Sequence, residues 1–158
     1  MTNATLESVL TTIPYGTCPL PGIGAAGQPG ADAWDALAKA GARTVVDLRA
    51  PGEPRGYDEP AAAKAAGLEY VALPVTQLTL TDAQFDALRG ILRDPARRPI
   101  VVHCASSNRV GALLLPYFAL DEKQPLEKAI ELAIESGLRS QDLAAMAVDY
   151  VRRHSASP

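Results

Sequence analysis

Cys104 and Arg109 are the residues whose types and spacing could do chemistry, in the run Val-Val-His-Cys-Ala-Ser-Ser-Asn-Arg-Val-Gly-Ala-Leu-Leu-Leu from Val101 to Leu115. An apolar stretch ends at His103, and four small or polar residues follow Cys104: Ala105, Ser106, Ser107 and Asn108. Arg109 then opens a second apolar stretch. Small residues let a backbone curl into a nest whose N–H groups converge, and a helix N-terminus behind the nest adds positive field. Together they bind anions. The same field favours a thiolate, the nucleophilic form of cysteine. An Arg beside it offers a planar fork matched to two oxygens of a phosphate-like group. The plainer reading of Cys104 is a small buried hydrophobe. Against that, an Arg at a helix start opposes the helix dipole, so it is an odd choice for decoration. Cys104 and Arg109 are therefore the candidate catalytic pair, and Ala105 to Asn108 the candidate substrate-binding loop.

Other residues support or compete. His103 ends the strand, where an imidazole can satisfy backbone groups. Asp47 lies at the end of another strand, next to the last residue of Thr44–Leu48, and is expected to hold a loop through Arg49 or Arg55. Those two arginines either raise the local potential for an anionic substrate or are solvated loop charges. Asp82 is a further carboxylate near the Val75 loop, but Asp in a first helical turn suits the dipole without any catalysis. Cys18 lies in a Pro-rich segment, as a resolving thiol or, more simply, a structural free thiol. Two Cys and two His at scattered positions match no metal-site spacing. Neither metal nor cofactor is expected.

These residues must be positioned by a single domain, since 158 residues suffice for one sizeable core. Residues 1–21 read as an irregular arm, punctuated by Pro14, Gly16, Pro19 and Pro21, and residues 22–154 as the α/β domain. Gly22–Pro29 is glycine-rich and reads as a short edge strand. Helix and strand patterns then alternate: helix Ala31–Ala40, strand Thr44–Leu48, loop Arg49–Tyr57, helix Glu59–Ala66, strand Glu69–Leu73. Thr81 with Gln84 marks a capping box and a helix ending at Asp94-Pro95. Strand Pro99–His103 follows, then helices Arg109–Leu120, Pro125–Ser136 and Ser140–His154. Pro116 should kink the first of these or end it early. Such alternation implies a mostly parallel sheet with helices on both faces. Sites in such sheets sit at the carboxyl ends of the strands, which brings together the loops after Leu48, Val75 and Cys104.

Composition narrows the partners. With a net charge of −3 and no run of Lys or Arg, no nucleic-acid surface is indicated. The first thirty residues lack a signal-peptide core, and no apolar stretch approaches the roughly 18 residues of a membrane span. A cytoplasmic location is expected, and oligomeric state is not legible.

The loop His-Cys-Ala-Ser-Ser-Asn-Arg-Val-Gly-Ala-Leu resembles that of Cys-dependent phosphatases of the protein-tyrosine and dual-specificity type, and of the related rhodanese-like domains. Gly-Gln-Pro-Gly before the first helix of the domain, Thr44–Arg49 and Tyr70–Val75 fall in matching order. The pattern is most similar to bacterial phosphatase-like domains, including those fused to β-lactamase-like hydrolases. The resemblance implies a protein-tyrosine-phosphatase-like fold and a phosphocysteine mechanism. In it, Cys104 attacks phosphorus, Arg109 holds the equatorial oxygens, His103 tunes the thiolate, and a small phosphate-bearing substrate or phosphoprotein is the partner. The chain departs from the phosphatase pattern in three places. Four residues rather than five separate Cys104 from Arg109, which is the rhodanese-like spacing. Ser107 stands where a Gly is usual, and Val110 where a Ser or Thr is common. Two alternatives therefore stand beside the phosphatase: a sulfurtransferase with a persulfide on Cys104, and a non-catalytic phosphate-binding module.

Overall fold

Thr44–Asp47 and Ile100–His103 are rich in β-branched residues, and every residue in them is buried. A computed structural model, which describes residues 5–155, places them side by side inside a five-stranded sheet. The strands are β1 Thr17–Leu20, β2 Ile23–Ala26, β3 Thr44–Asp47, β4 Glu69–Ala72 and β5 Ile100–His103, in the order β1-β2-β5-β3-β4. Only β1 runs antiparallel to its neighbour; β2–β5, β5–β3 and β3–β4 are parallel. β5 is thus the middle strand.

Strand alternation divides the core in two. Val46, Ile100 and Val102 pack with α4 Asp82–Leu92, α5 Asn108–Pro116, α6 Leu126–Glu135 and α7 Gln141–His154. Val45 and Val101 pack with α1 Leu6–Leu10, α2 Ala33–Lys39 and α3 Glu59–Ala65, around Trp34 and Leu37. The expected mostly parallel sheet, covered by helices on both faces, is the one observed. The capping box at Thr81 is present, with its amide donating to Gln84 Oε1 at 2.8 Å.

Two readings are corrected. Residues 5–20 are not irregular: Thr5 caps a helical turn that buries Val9 and Leu10, and Thr17–Leu20 adds a strand to the sheet. The prolines that suggested an arm sit in the turns before and after β1 and on β1 itself, an edge strand, where no N–H is required. Residues 1–4 of that segment lie outside the described residues. The glycine-rich strand β2 is not an edge but is enclosed between β1 and β5. Gly24 allows this, because a Cβ there would come 2.7 Å from Leu10 Cδ1. Pro116 acts as expected: the α-helix stops there and the chain continues as a π-helical turn, Tyr117–Asp121. Among the described residues no helix is long and apolar enough to cross a membrane.

Candidate active site

The loop after β5 emerges at the carboxyl end of the middle strand, the place where parallel sheets present their sites. Cys104 is 1% exposed, and its amide donates to the Ala26 carbonyl at 3.2 Å. The Ala105 carbonyl accepts from the Gln28 amide at 3.2 Å, so the segment after β2 braces the start of the loop. Ser107 adopts φ 65°, the left-handed conformation that turns the chain into α5. This is the position where the phosphatase pattern has Gly. Ser107 tolerates it with its hydroxyl donating to the Ser136 carbonyl at 2.6 Å. Gly137 makes that approach possible, since a Cβ there would lie 2.6 Å from Ser107 Cβ. Asn108 Oδ1 accepts the amides of Arg139 at 2.7 Å and Ser140 at 3.0 Å. The α6–α7 turn therefore holds the far end of the loop. In the first turn of α5, the amides of Asn108 and Arg109 have no intrahelical acceptor.

Arg109 is oriented by a carboxylate in the loop after β3. Its Nη1 donates to Glu53 Oε2 at 2.8 Å and its Nη2 to Oε1 at 2.9 Å, a fork-on-fork pair, and Nη1 also reaches the Val75 carbonyl at 3.1 Å. Glu53 is held in turn by the Ala50 amide at 2.6 Å and Arg49 Nε at 3.2 Å. The hydrogen bond from Arg109 is the main cause that holds the Glu53 carboxyl at about 2 instead of 4.5. Arg109 is pushed up, first by Glu53 and also by the neighbouring Cys104 sulfur. The guanidinium thus holds the carboxylate through both Nη atoms and is electrostatically coupled to Cys104. Because the folded-state value of Glu53 is depressed, its contribution to stability is present above pH 4.5 and is lost as pH falls toward about 2. Urea midpoints measured from pH 7 down to pH 3 should therefore show the gap between wild type and Glu53→Gln narrowing below about pH 4.5. A gap that stays constant across that range would show that the pair adds nothing to stability.

Behind the loop lies a buried polar network. Asp47, Glu59 and His103 are fully buried. His103 Nε2 lies 2.6 Å from Glu59 Oε2. Asp47 Oδ2 accepts from Arg55 Nη2 at 2.7 Å and Nε at 3.0 Å and from the Tyr70 hydroxyl at 2.6 Å, while Oδ1 accepts the Arg49 amide at 2.9 Å. Glu59 Oε1 accepts from Gln28 Nε2 at 2.7 Å. Burial and the Asp47 carboxylate push the Tyr70 phenol up, which keeps it a donor. One potential ligand atom from each of Asp47, Glu59 and His103 lies within 4.8 Å of the others. Arg55 already supplies the cation that faces both carboxylates, at 2.7 Å from Asp47 and 3.5 Å from Glu59.

The structure brings Cys104, the four loop residues and Arg109 together, with His103, Asp47 and Arg49 directly behind. Arg49 spends its charge on Glu53 and on Gln28 Oε1, at 2.8 Å from the latter. Arg55 binds Asp47 rather than solvent. Asp82 belongs elsewhere, paired with Arg153 of α7 through two contacts of 2.7 Å. Cys18 is a free thiol on β1, and burial, with Glu7 nearby, pushes it up. Sequence reasoning missed Glu53, Glu59 and Arg139. A carboxylate between two prolines and two arginines was a signal for Glu53. Glu59 looked like an ordinary first-turn acid.

The sequence profile of the family described as DSP-PTPase phosphatase fused to NAD+ kinase matches residues 24–147. The chain belongs to this DSP-PTPase family. It is 36% identical over 100 residues to a β-lactamase hydrolase-like protein of Xylella fastidiosa (strain Temecula1), a match covering 61% of this chain and 22% of that longer protein. Its fold is similar to that of a candidate phosphatase (DUF442) from Shewanella putrefaciens CN-32, with TM-score 0.80 and 19% identity, covering 92% of this chain and 97% of that one. It is also similar to P. aeruginosa TpbA in complex with pTyr, with TM-score 0.65 and 22% identity, covering 84% of this chain and 80% of that one. The DSP-PTPase phosphatase family is thus shown for this chain, whereas the rhodanese relation implied by the four-residue spacing is not. Membership favours the phosphatase over the sulfurtransferase and the non-catalytic module.

Proposed function

We propose that this DSP-PTPase domain hydrolyses a phosphate monoester through a phosphocysteine at Cys104. The observation that carries the reading is the setting of Arg109: the loop that begins at Cys104 ends at this residue, and its guanidinium is clamped by Glu53 through both Nη atoms at the carboxyl end of β5. In the first step the thiolate attacks phosphorus, an S–P bond forms, and the ester P–O bond breaks. Arg109 and the amides at the start of α5 hold the equatorial oxygens as charge builds on them. In the second step water attacks phosphorus, the S–P bond breaks, inorganic phosphate leaves and the thiolate is restored. His103, Asp47 and Arg49 support the loop from behind through the buried network. Glu53 is a positioning residue that acts through Arg109.

The first step needs a proton for the leaving oxygen, and the two obvious carboxylates do not supply it. Glu53 is held ionised at neutral pH, and Asp82 is bound to Arg153. An aryl phosphate, whose leaving group needs little help, is therefore the substrate class proposed. It also agrees with the pTyr held in the TpbA complex. p-Nitrophenyl phosphate is expected to be turned over about 10²–10⁴-fold faster than an alkyl phosphate, the usual worth of general-acid help. Equal rates on both would show that an acid is present after all. Thiocyanate formation from thiosulfate and cyanide, dependent on Cys104 and without phosphatase activity, would instead establish the sulfurtransferase.

A further inference from the structure

Gln28 lies just after β2, against the start of the Cys104 loop, where its backbone amide donates to the Ala105 carbonyl at 3.2 Å. Its side chain is occupied at both ends. Oε1 accepts from Arg49 Nη1 at 2.8 Å. Nε2 donates to Glu59 Oε1 at 2.7 Å, and it also reaches the Pro29 carbonyl at 3.1 Å and the Tyr57 hydroxyl at 3.3 Å. These partners fix which way the amide points. Turned over, its oxygen would face the Glu59 carboxylate and its nitrogen the Arg49 guanidinium.

Each end leads to one half of the site. Arg49 Nε donates to Glu53 at 3.2 Å, and Glu53 accepts both Nη atoms of Arg109 at 2.8 and 2.9 Å. Glu59 Oε2 lies 2.6 Å from Nε2 of His103, the residue before Cys104. One uncharged side chain therefore joins the contacts that end on Arg109 to those that end beside the nucleophile. Only an amide of this length suits the place. A Glu would serve Arg49 but set a second carboxylate against Glu59. A Lys or Arg would serve Glu59 but repel Arg49. An Asn is one methylene, about 1.5 Å, too short to span both. The surroundings leave little slack: a Cβ at Gly27 would come 2.7 Å from the Ala105 carbonyl. Tyr57 is itself held, donating to the Pro29 carbonyl at 2.7 Å and accepting from Trp34 Nε1 at 3.1 Å.

We propose that Gln28 is a positioning residue of this site, which holds Arg109 and Cys104 in their mutual placement by joining the Arg49–Glu53 pair to the Glu59–His103 pair. This rests on the phosphatase reading above for the reaction that the placement serves. Gln28 touches no reacting atom and acts through Arg49 and Glu59.

The test uses two measurements: kcat/KM on p-nitrophenyl phosphate, and calorimetric affinity for inorganic phosphate in the Cys104→Ser background. Gln28→Ala is expected to lower kcat/KM by about 10–10²-fold, the scale of misplacing a reacting group by up to about 1 Å. Gln28→Asn should lose as much, because it cannot reach both partners. Phosphate binding should weaken by at least about fivefold, the worth of one hydrogen bond. Combined with Glu53→Gln, Gln28→Ala should cost phosphate binding less than about twofold, since the path to Arg109 is already cut. Gln28→Glu gives a signature that packing alone would not. It is faced by Arg49, Glu59 and the Tyr57 hydroxyl, with Asp47, Arg55 and His103 behind. Ionised, it opposes Glu59; protonated, it donates to it again. Its rate relative to wild type should therefore rise as pH falls from about 8 to about 5, while the Gln28→Ala ratio stays flat. If Gln28→Ala fails to fold, Gln28→Glu keeps the size of the side chain and decides by this ratio. Wild-type rate and affinity in Gln28→Ala, equal losses with and without Glu53, or a pH-independent Gln28→Glu ratio overturns the proposal and leaves the phosphatase reading intact. Phosphate binding without Cys104-dependent hydrolysis in the native protein sinks the phosphatase reading, and the phosphate measurements with Glu53→Gln then decide the role of Gln28. No phosphate binding at all removes both.

Discussion

Replacing Cys104 with Ser is expected to lower hydrolysis of p-nitrophenyl phosphate by at least about 10⁴-fold, the scale seen when an enzyme loses its nucleophile. A serine hydroxyl is not ionised at neutral pH, so it is a far weaker nucleophile than a thiolate. Cys104 is buried in the core, so the melting temperature of the variant is read beside its activity to separate loss of the nucleophile from loss of the fold. Arg109 provides the matched comparison. Arg109→Ala should reduce the rate by about 10²–10³-fold or more, the cost of losing one main oxyanion donor. It should also reduce stability, because Glu53 loses its partner. Arg109→Lys should recover only part of the rate: an ammonium is a point charge and cannot grip Glu53 with one edge and phosphate oxygens with another. Full activity in Arg109→Lys would mean that the fork geometry is irrelevant. Residual activity in Cys104→Ser within tenfold of wild type would mean that another group attacks phosphorus.

The largest effect on stability is expected from Glu59→Ala. Glu59 is fully buried and is the shared partner of His103, Gln28 and Arg55. Its removal leaves a buried imidazole and part of the Arg55 charge without their acceptor. Breaking a buried ion pair from one side costs about 3–5 kcal/mol, which for a domain of this size lowers Tm by roughly 10 °C or more. Glu59→Gln keeps the shape and a hydrogen bond to the imidazole, so its loss should be markedly smaller. The measurement is urea unfolding of both variants beside wild type. Because His103 immediately precedes Cys104, phosphatase activity of Glu59→Ala should fall even at temperatures where it remains folded. A fall of less than 1 kcal/mol for Glu59→Ala would show that the network is not under tension and does not hold the strand end.

The sequence by itself determined the parts of this protein that depend on local pattern. Short β-branched apolar runs at Thr44–Asp47 and Ile100–His103, helical spacing in the segments between, and the Thr81–Gln84 cap all state their structure within a few residues. So does the Cys104 loop, because a nucleophile, four small residues and an Arg between a strand and a helix leave few local conformations. The departure at Ser107, where the related phosphatase pattern has Gly, was also visible, and its left-handed φ of 65° came with the structure. Tertiary structure alone decided which charges answer one another. Glu53 meets Arg109 across 56 residues, His103 meets Glu59 across 44, and Arg139 meets Ser106 across 33. Sequence cannot show such pairs, because a carboxylate in a polar loop, or at a helix start, reads the same whether it faces solvent or a guanidinium. The N-terminal segment failed for the complementary reason. Its strand is a four-residue edge with a proline in it, and the cost of ordering it is met only when β2 and the helices α1 and α6 are already in place to receive it.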